Sequence, residues 1–239
     1  MAGKKKNKRK RPPCPDPELY EWVETREGGY WRKKKKKGSP VNSSLAANAN
    51  ATSITAPLIK RIRNILEEYT SNLALQKIQA RLSGLLNKVY QAKGVINFSA
   101  LKGFEFQEDH PLENLLLTQY HVNKETDSIT LLIPVEQGSV KKHNKLVTDF
   151  YFEAILLNGD VLKDELLSIE YISSAPYSFI NTIKEDCKLA LPLPQNNKPW
   201  MLLLKVSCLE GNEMAAHAKH YGMKVVETGG DFHEWQLQA

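Results

Sequence analysis

The chain has 239 residues with 33 Lys/Arg against 27 Asp/Glu, a formal net charge of +6. It contains no run of about 18 or more apolar residues, which excludes a membrane-spanning helix. The charge is sorted by position: residues 1–37 hold 14 basic and 5 acidic side chains, residues 58–102 hold 8 and 2, and residues 103–239 hold 11 and 20.

A basic arm is thus followed by an acidic body. Lys4, Lys5, Lys6, Lys8, Arg9, Lys10 and Arg11 form one basic run, and Arg32, Lys33, Lys34, Lys35, Lys36 and Lys37 form a second. Like charges this dense repel one another in the free chain and gain most by meeting a polyanion and releasing its counterions. Residues 1–13 are nearly all Lys, Arg, Asn and Pro, a composition expected to be disordered when free. Met1 and the following basic residues resemble the start of a signal peptide, but Pro12 to Asp16 stand where its apolar part belongs. The expected location is therefore intracellular, cytoplasmic, or nuclear in a eukaryotic host, where the basic runs also read as an import address. The sequons at Asn42, Asn50 and Asn97 carry little meaning without secretion.

Between Glu18 and Trp31 lies a small amphipathic patch of Leu19, Tyr20, Trp22, Val23, Tyr30 and Trp31, interrupted by Gly28-Gly29. Its aromatic residues, Trp31 above all, can stack on exposed bases. Equally, the patch can be a short docking peptide. Residues 38–57 carry no charge and are rich in Ser, Asn, Ala and Thr, which reads as a flexible tether. The arm and linker together are assigned to residues 1–54.

A helical hairpin is expected over residues 55–94. Thr55-Ala56-Pro57 is a helix-start signal, and Leu58, Ile62, Ile65, Leu66 and Tyr69 follow at helical spacing. Leu75, Ile78, Leu82, Leu85, Leu86 and Val89 repeat the pattern up to Gly94, a C-cap residue. Lys60, Arg61 and Arg63, with Lys77, Arg81 and Lys88, fall on the outward side, either extending the basic character of the arm or forming an ordinary solvated face.

Asp109-His110-Pro111 leads into a short helix over Leu112 to Leu117. From there the period turns to two. Ile129 to Ile133 and Phe150 to Leu157 alternate as strands with one face in a core, and Asn158-Gly159 signals a hairpin whose returning strand falls within Asp160 to Ile172. Cys187 to Leu191, a central Trp200 to Cys208, Tyr221 to Glu227 and Phe232 to Gln238 complete the set. The fold class is α+β: a disordered basic arm, a helical hairpin, and over residues 95–239 a mainly antiparallel β-sandwich of about seven or eight strands. Three widely spaced cysteines, Cys14, Cys187 and Cys208, fit reduced thiols, the last two as core fillers.

Glu213, His217 and His220 stand at i, i+4 and i+7, so a helix over Glu210 to Lys219 would put them on one face as a weak metal-site candidate. Glu108-Asp109-His110 and the group Asp231, His233, Glu234 pair acids with bases but read as surface residues. No phosphate-cradling loop, nucleotide fingerprint or nucleophile elbow occurs. The leading expectation is a non-enzymatic, cofactor-free protein whose arm, with Lys60, Arg61 and Arg63, contacts the phosphates of a nucleic acid or another polyanion without sequence specificity. The acidic domain is then free for protein partners or self-association. The alternatives are a scaffold or assembly module whose arm is a tail or address, and a metal-dependent enzyme.

Overall fold

The computed structural model describes residues 12–25, 28–34, 43–94, 96, 98–159, 168–194 and 198–230. The chain divides into two compact units, residues 1–46 and 47–239.

In the first unit Asp16 starts a turn. Its carboxylate accepts the Glu18 N–H at 2.8 Å and its carbonyl accepts the Tyr20 N–H at 2.9 Å. The chain then enters β1 (Tyr20–Thr25), which pairs antiparallel with β2 (Gly28–Lys33). Trp22 and Trp31 are cross-strand partners whose rings meet edge to face, 5.1 Å between centroids. Cross-strand aromatic pairs of this kind stabilise a ribbon too small for a core. Part of the segment assigned to an arm and linker is therefore a hairpin, while residues 1–11 and 35–42 lie outside the described residues.

The first helix, α1 (Ser43–Ile65), starts twelve residues before the Thr55-Ala56-Pro57 signal and carries Pro57 in its interior. From Ser43 onward the uncharged stretch is helical because it has a mate. Thr55 Oγ1 donates to Asn87 Oδ1 at 2.6 Å, Asn87 Nδ2 to Thr52 Oγ1 at 3.1 Å, and Gln91 Nε2 to Asn48 Oδ1 at 2.6 Å. Ala51 and Thr55 are fully buried there. The tether reading fails because tertiary hydrogen bonds outweigh the weak intrinsic preference of Asn, Ser and Thr for helix. A short α2 (Glu67–Thr70) and then α3 (Ile78–Lys93) follow, α3 antiparallel to α1 with Ile78, Leu82 and Leu86 buried. Gly94 closes α3 as expected, at φ 68° with its N–H on the Tyr90 carbonyl.

A 3-10 turn at Phe98–Leu101 and the short α4 (Leu112–Leu115) lead into the strands. These are β3 (His121–Lys124), β4 (Ser128–Val135), β5 (Asp149–Asn158), β6 (Ser168–Ser173), β7 (Tyr177–Ser178), β8 (Glu185–Pro192), β9 (Trp200–Glu210), β10 (Glu213–Met214) and β11 (Tyr221–Gly229). All their pairings are antiparallel. They form a six-stranded sheet, in which β9 lies between β5 and β11, and a three-stranded sheet ordered β3-β4-β8. The segment Trp200 to Cys208 is central, as its apolar composition requires.

The hairpin at Asn158 is wider than a two-residue turn. Asn158 pairs with Ser168, so nine residues separate the strands, and Gly159, at φ 123°, donates its N–H to the Pro199 carbonyl at 2.9 Å. The strand expected at Phe232 to Gln238 lies outside the described residues. The central strands are also buried on both faces rather than one: every residue from Phe152 to Asn158 and from Trp200 to Cys208 is buried. Tyr69 of α2 meets Tyr171 of β6 at 5.3 Å on the face that carries Glu153, while Phe150 and Phe152 of the opposite face pack on Tyr177.

Candidate polyanion-binding surface

The described part of the first unit places four of the expected contact residues. Trp31 is half-buried. Its indole Nε1 donates to the Pro12 carbonyl at 3.0 Å and its ring packs on Trp22, so it serves the hairpin's own cross-strand contact rather than an open stacking platform. Tyr30, its exposed neighbour, is the aromatic ring the ribbon presents to solvent. Arg32 is in an ion pair with Glu21, which raises its pKa through a side-chain hydrogen bond and the carboxylate's charge. Lys33 is exposed, and Lys34 Nζ donates to the Pro17 carbonyl at 2.7 Å. Lys4, Lys5, Lys6, Lys8, Arg9, Lys10, Arg11, Lys35, Lys36 and Lys37 lie outside the described residues. Strand β2 therefore leads, through Lys33 and Lys34, into the second basic run of the sequence.

In the second unit Lys60 and Arg63 are exposed on α1 and Arg61 is half-buried. Arg63 reaches across to α3, its Nη1 donating to Gln79 Oε1 at 3.0 Å. Lys77 sits just before α3 with φ 58°, the left-handed region that side chains rarely adopt. Lys77 and Lys88 are exposed as expected, but Arg81 is not outward. Its guanidinium lies 4.9 Å from the Phe104 ring centroid, and Nη1 reaches the Phe106 carbonyl at 3.5 Å. The cavity beside these residues, lined by Arg63, Glu67, Leu75 and Phe106 among others, has about 160 Å³. That is below the roughly 300 Å³ at which small-molecule sites begin.

The helix that would unite Glu213, His217 and His220 does not form. Glu213 belongs to β10, which turns back on β9, His217 has extended backbone, and His220 ends a 3-10 turn at Ala218–His220. The hairpin formed by the Glu210 to Glu213 turn takes precedence over the helical pattern. Among the described residues no three His, Cys, Asp or Glu side chains are grouped to hold a metal ion. His220 is instead fully buried, its ring 5.8 Å from His143 and 6.3 Å from His217, with Nε2 3.5 Å from Asn144 Nδ2. Burial, Lys219 and His143 hold its pKa below the ordinary histidine value, and burial with Lys141 and Lys219 does the same for His143. Glu108 and Asp109 are exposed, and Asp231, His233 and Glu234 lie outside the described residues.

A buried polar group escapes the sequence reading. On the helix-covered face Glu153 of β5 and Lys205 of β9 are register partners, with Nζ 2.9 Å from Oε2 and side chains only 6% and 5% exposed. Ser207 Oγ donates to Glu153 Oε2 at 2.5 Å, and Tyr171 OH donates to Oε1 at 3.1 Å. Burial and the Glu153 charge push the Tyr171 phenol up to about 12. The carboxylate's oxygens are thus saturated by protein donors, which is the requirement for keeping a charge inside a sheet. The signal for it was two lone charges of opposite sign inside otherwise apolar strands. Both core cysteines are inert thiols: Cys187 is raised by burial, and Cys208 is pushed up by burial to about 12.

No family model matches the chain, and neither does any curated protein or solved structure.

Proposed function

We propose that this chain is a non-enzymatic protein that associates with nucleic acid or a related polyanion through its basic N-terminal segment. The observation that carries this reading is the segregation of charge, 14 basic against 5 acidic side chains in residues 1–37 and the reverse balance beyond residue 102. Exposed Lys33, Lys60 and Arg63 add cations in backbone-contact style, which positions a polyanion without reading sequence. On this reading the six-stranded and three-stranded antiparallel sheets act as the two layers of a sandwich and supply a rigid body for protein contacts, which the alternation in β8 of buried Cys187, Leu189 and Leu191 with exposed Asp186, Lys188 and Ala190 supports.

The test is a gel-shift titration across salt with the full chain and with a variant in which Lys4, Lys5, Lys6, Lys8, Arg9, Lys10 and Arg11 are glutamine. With some six to ten phosphates neutralised, affinity falls on the order of a thousandfold to a hundred-thousandfold between 50 and 200 mM salt. With seven of the 14 basic side chains of residues 1–37 neutralised, the glutamine variant loses about half of that slope, on DNA and RNA alike. An unchanged slope overturns the reading.

The second reading, an assembly module whose basic segment is a tail or import address, draws on the acidic charge of the second unit. Self-association that persists after the arm is neutralised, measured by light scattering, favours it.

A further inference from the structure

Two adjoining loops of the second unit carry aliphatic side chains that the fold does not bury. In the loop before β5, Asn144 Oδ1 accepts the N–H groups of Leu146 at 2.7 Å and Val147 at 3.0 Å. This Asx turn seats Val147 in the core and leaves Leu146 69% exposed. In the loop between β7 and β8, Ser178 holds the backbone. Its Oγ accepts the Ile180 N–H at 3.3 Å and its carbonyl accepts Thr182 Oγ1 at 2.5 Å. Ile180 and Ile183 are left 74% and 77% exposed. The loops lie side by side, since the Phe179 N–H donates to the Thr148 carbonyl at 2.9 Å and Lys142 Nζ stands 5.5 Å from the Phe179 ring centroid.

Residues 141–147 contain Lys141, Lys142 and Lys145, residues 179–184 contain Lys184, and neither loop contains an acid. All four lysines are exposed, and Lys184 also pairs with Glu136 on the flank at 3.3 Å. An isolated exposed aliphatic residue needs no explanation, but three on adjacent, hydrogen-bonded loop tips form a patch that does. Aliphatic side chains exposed by two thirds or more of their surface suit insertion into a soft apolar layer. The lysines suit a negatively charged rim at the depth their long stems reach.

We propose that these two loops form a membrane-surface site, with Leu146, Ile180 and Ile183 entering the acyl boundary of an anionic lipid leaflet and Lys141, Lys142, Lys145 and Lys184 meeting its headgroups. The contact is reversible and peripheral, because three aliphatic side chains bury little area compared with a spanning helix. The site is separate from the basic N-terminal segment and stands or falls independently of the polyanion reading.

The test is sedimentation of the full chain with vesicles of phosphatidylcholine containing one third phosphatidylglycerol, and with pure phosphatidylcholine. The triple variant Leu146→Ser, Ile180→Ser, Ile183→Ser changes only exposed positions and keeps the fold. It is expected to bind the anionic vesicles on the order of tenfold more weakly or worse, while its affinity for heparin stays unchanged. The quadruple variant Lys141→Gln, Lys142→Gln, Lys145→Gln, Lys184→Gln is expected to bind anionic vesicles more weakly than the natural chain while binding neutral ones equally, the preference that remains being that of the basic N-terminal segment. If the serine variant binds as tightly as the natural chain, attraction belongs to the N-terminal charge alone and the site is refuted. Absence of binding to either vesicle refutes it as well. So does loss of self-association in the serine variant without loss of vesicle binding, because the patch is then an interface between copies.

Discussion

Two ion pairs in this chain are built from the same chemistry and have opposite consequences. Arg32 and Glu21 meet across the β1–β2 ribbon with side chains 52% and 43% exposed, whereas Lys205 and Glu153 meet across β9 and β5 almost out of water. In the ribbon, water screens the charges and the Trp22–Trp31 contact holds the strands; in the sheet, removal of one partner strands a charge that nothing else can neutralise. Position rather than the number of charged contacts decides which pair the fold depends on.

The sharpest way to break this comparison is Lys205→Met, which leaves Glu153 buried and uncompensated. A loss of about 3–5 kcal/mol is expected in urea denaturation. The double variant Lys205→Met, Glu153→Leu should recover much of that loss, since a hydrophobic pair does not carry the desolvation cost. If the single variant is no less stable than the natural chain, the pair is not the keystone described.

Packing gives the next effect. A Cβ on Gly222 of β11 would lie 2.9 Å from the Leu112 backbone, so Gly222→Ala should cost about 1–3 kcal/mol. Gly29→Ala also forces a clash, 2.3 Å from the Trp22 ring, but in the small ribbon. It should change tryptophan fluorescence while leaving the main unfolding midpoint in place.

Acid sharpens the contrast further. His220 has a depressed pKa in the folded chain and an ordinary value near 6.5 when unfolded, so the unfolded state binds more protons below neutrality. The stability held by neutral His220 is therefore complete above about pH 6.5 and is lost as the pH falls toward its folded-state value, with a slope of at most about 1.4 kcal/mol per pH unit. Denaturation midpoints at pH 7.5 and 5.5 measure it, and His220→Asn should reduce the difference, His143 contributing a further part of the same sign. Smallest of all, Arg32→Gln should leave the midpoint of the second unit unmoved.

The strands were legible as apolar runs bounded by turn residues, although the two central ones are buried on both faces and do not alternate in burial. Ile129 to Ile133, Phe150 to Leu157 and Trp200 to Cys208 all appear where the period placed them, and the Gly94 cap ends α3 on its expected residue. What was hidden depends on partners far away in sequence. The uncharged residues before Pro57 look like a tether until Asn87 and Gln91 are known to face them, and Glu153 looks like a solvent residue until α2 covers its side of β5. Of the expected contact residues, Trp31 was chosen for its chemistry as a stacking ring, but its cross-strand partner Trp22 could be found only from pairing register. The strands β1 and β2 went unrecognised because two short runs around Gly28-Gly29 alternate too briefly to show a period.

The amide and hydroxyl contacts between α1 and α3 fix more than stability. Greasy helices can slide past each other by a turn, about 5.4 Å, and find new apolar neighbours. Here such a slip would part Asn48 from Gln91 and Thr55 from Asn87 at once, and would leave the fully buried Thr55 hydroxyl without its partner. The pair is therefore keyed like a lock with one admissible seating. The spacing between Lys60, Arg63 and Lys77 on its outer side is set by that key and is insensitive to whatever the cations later touch.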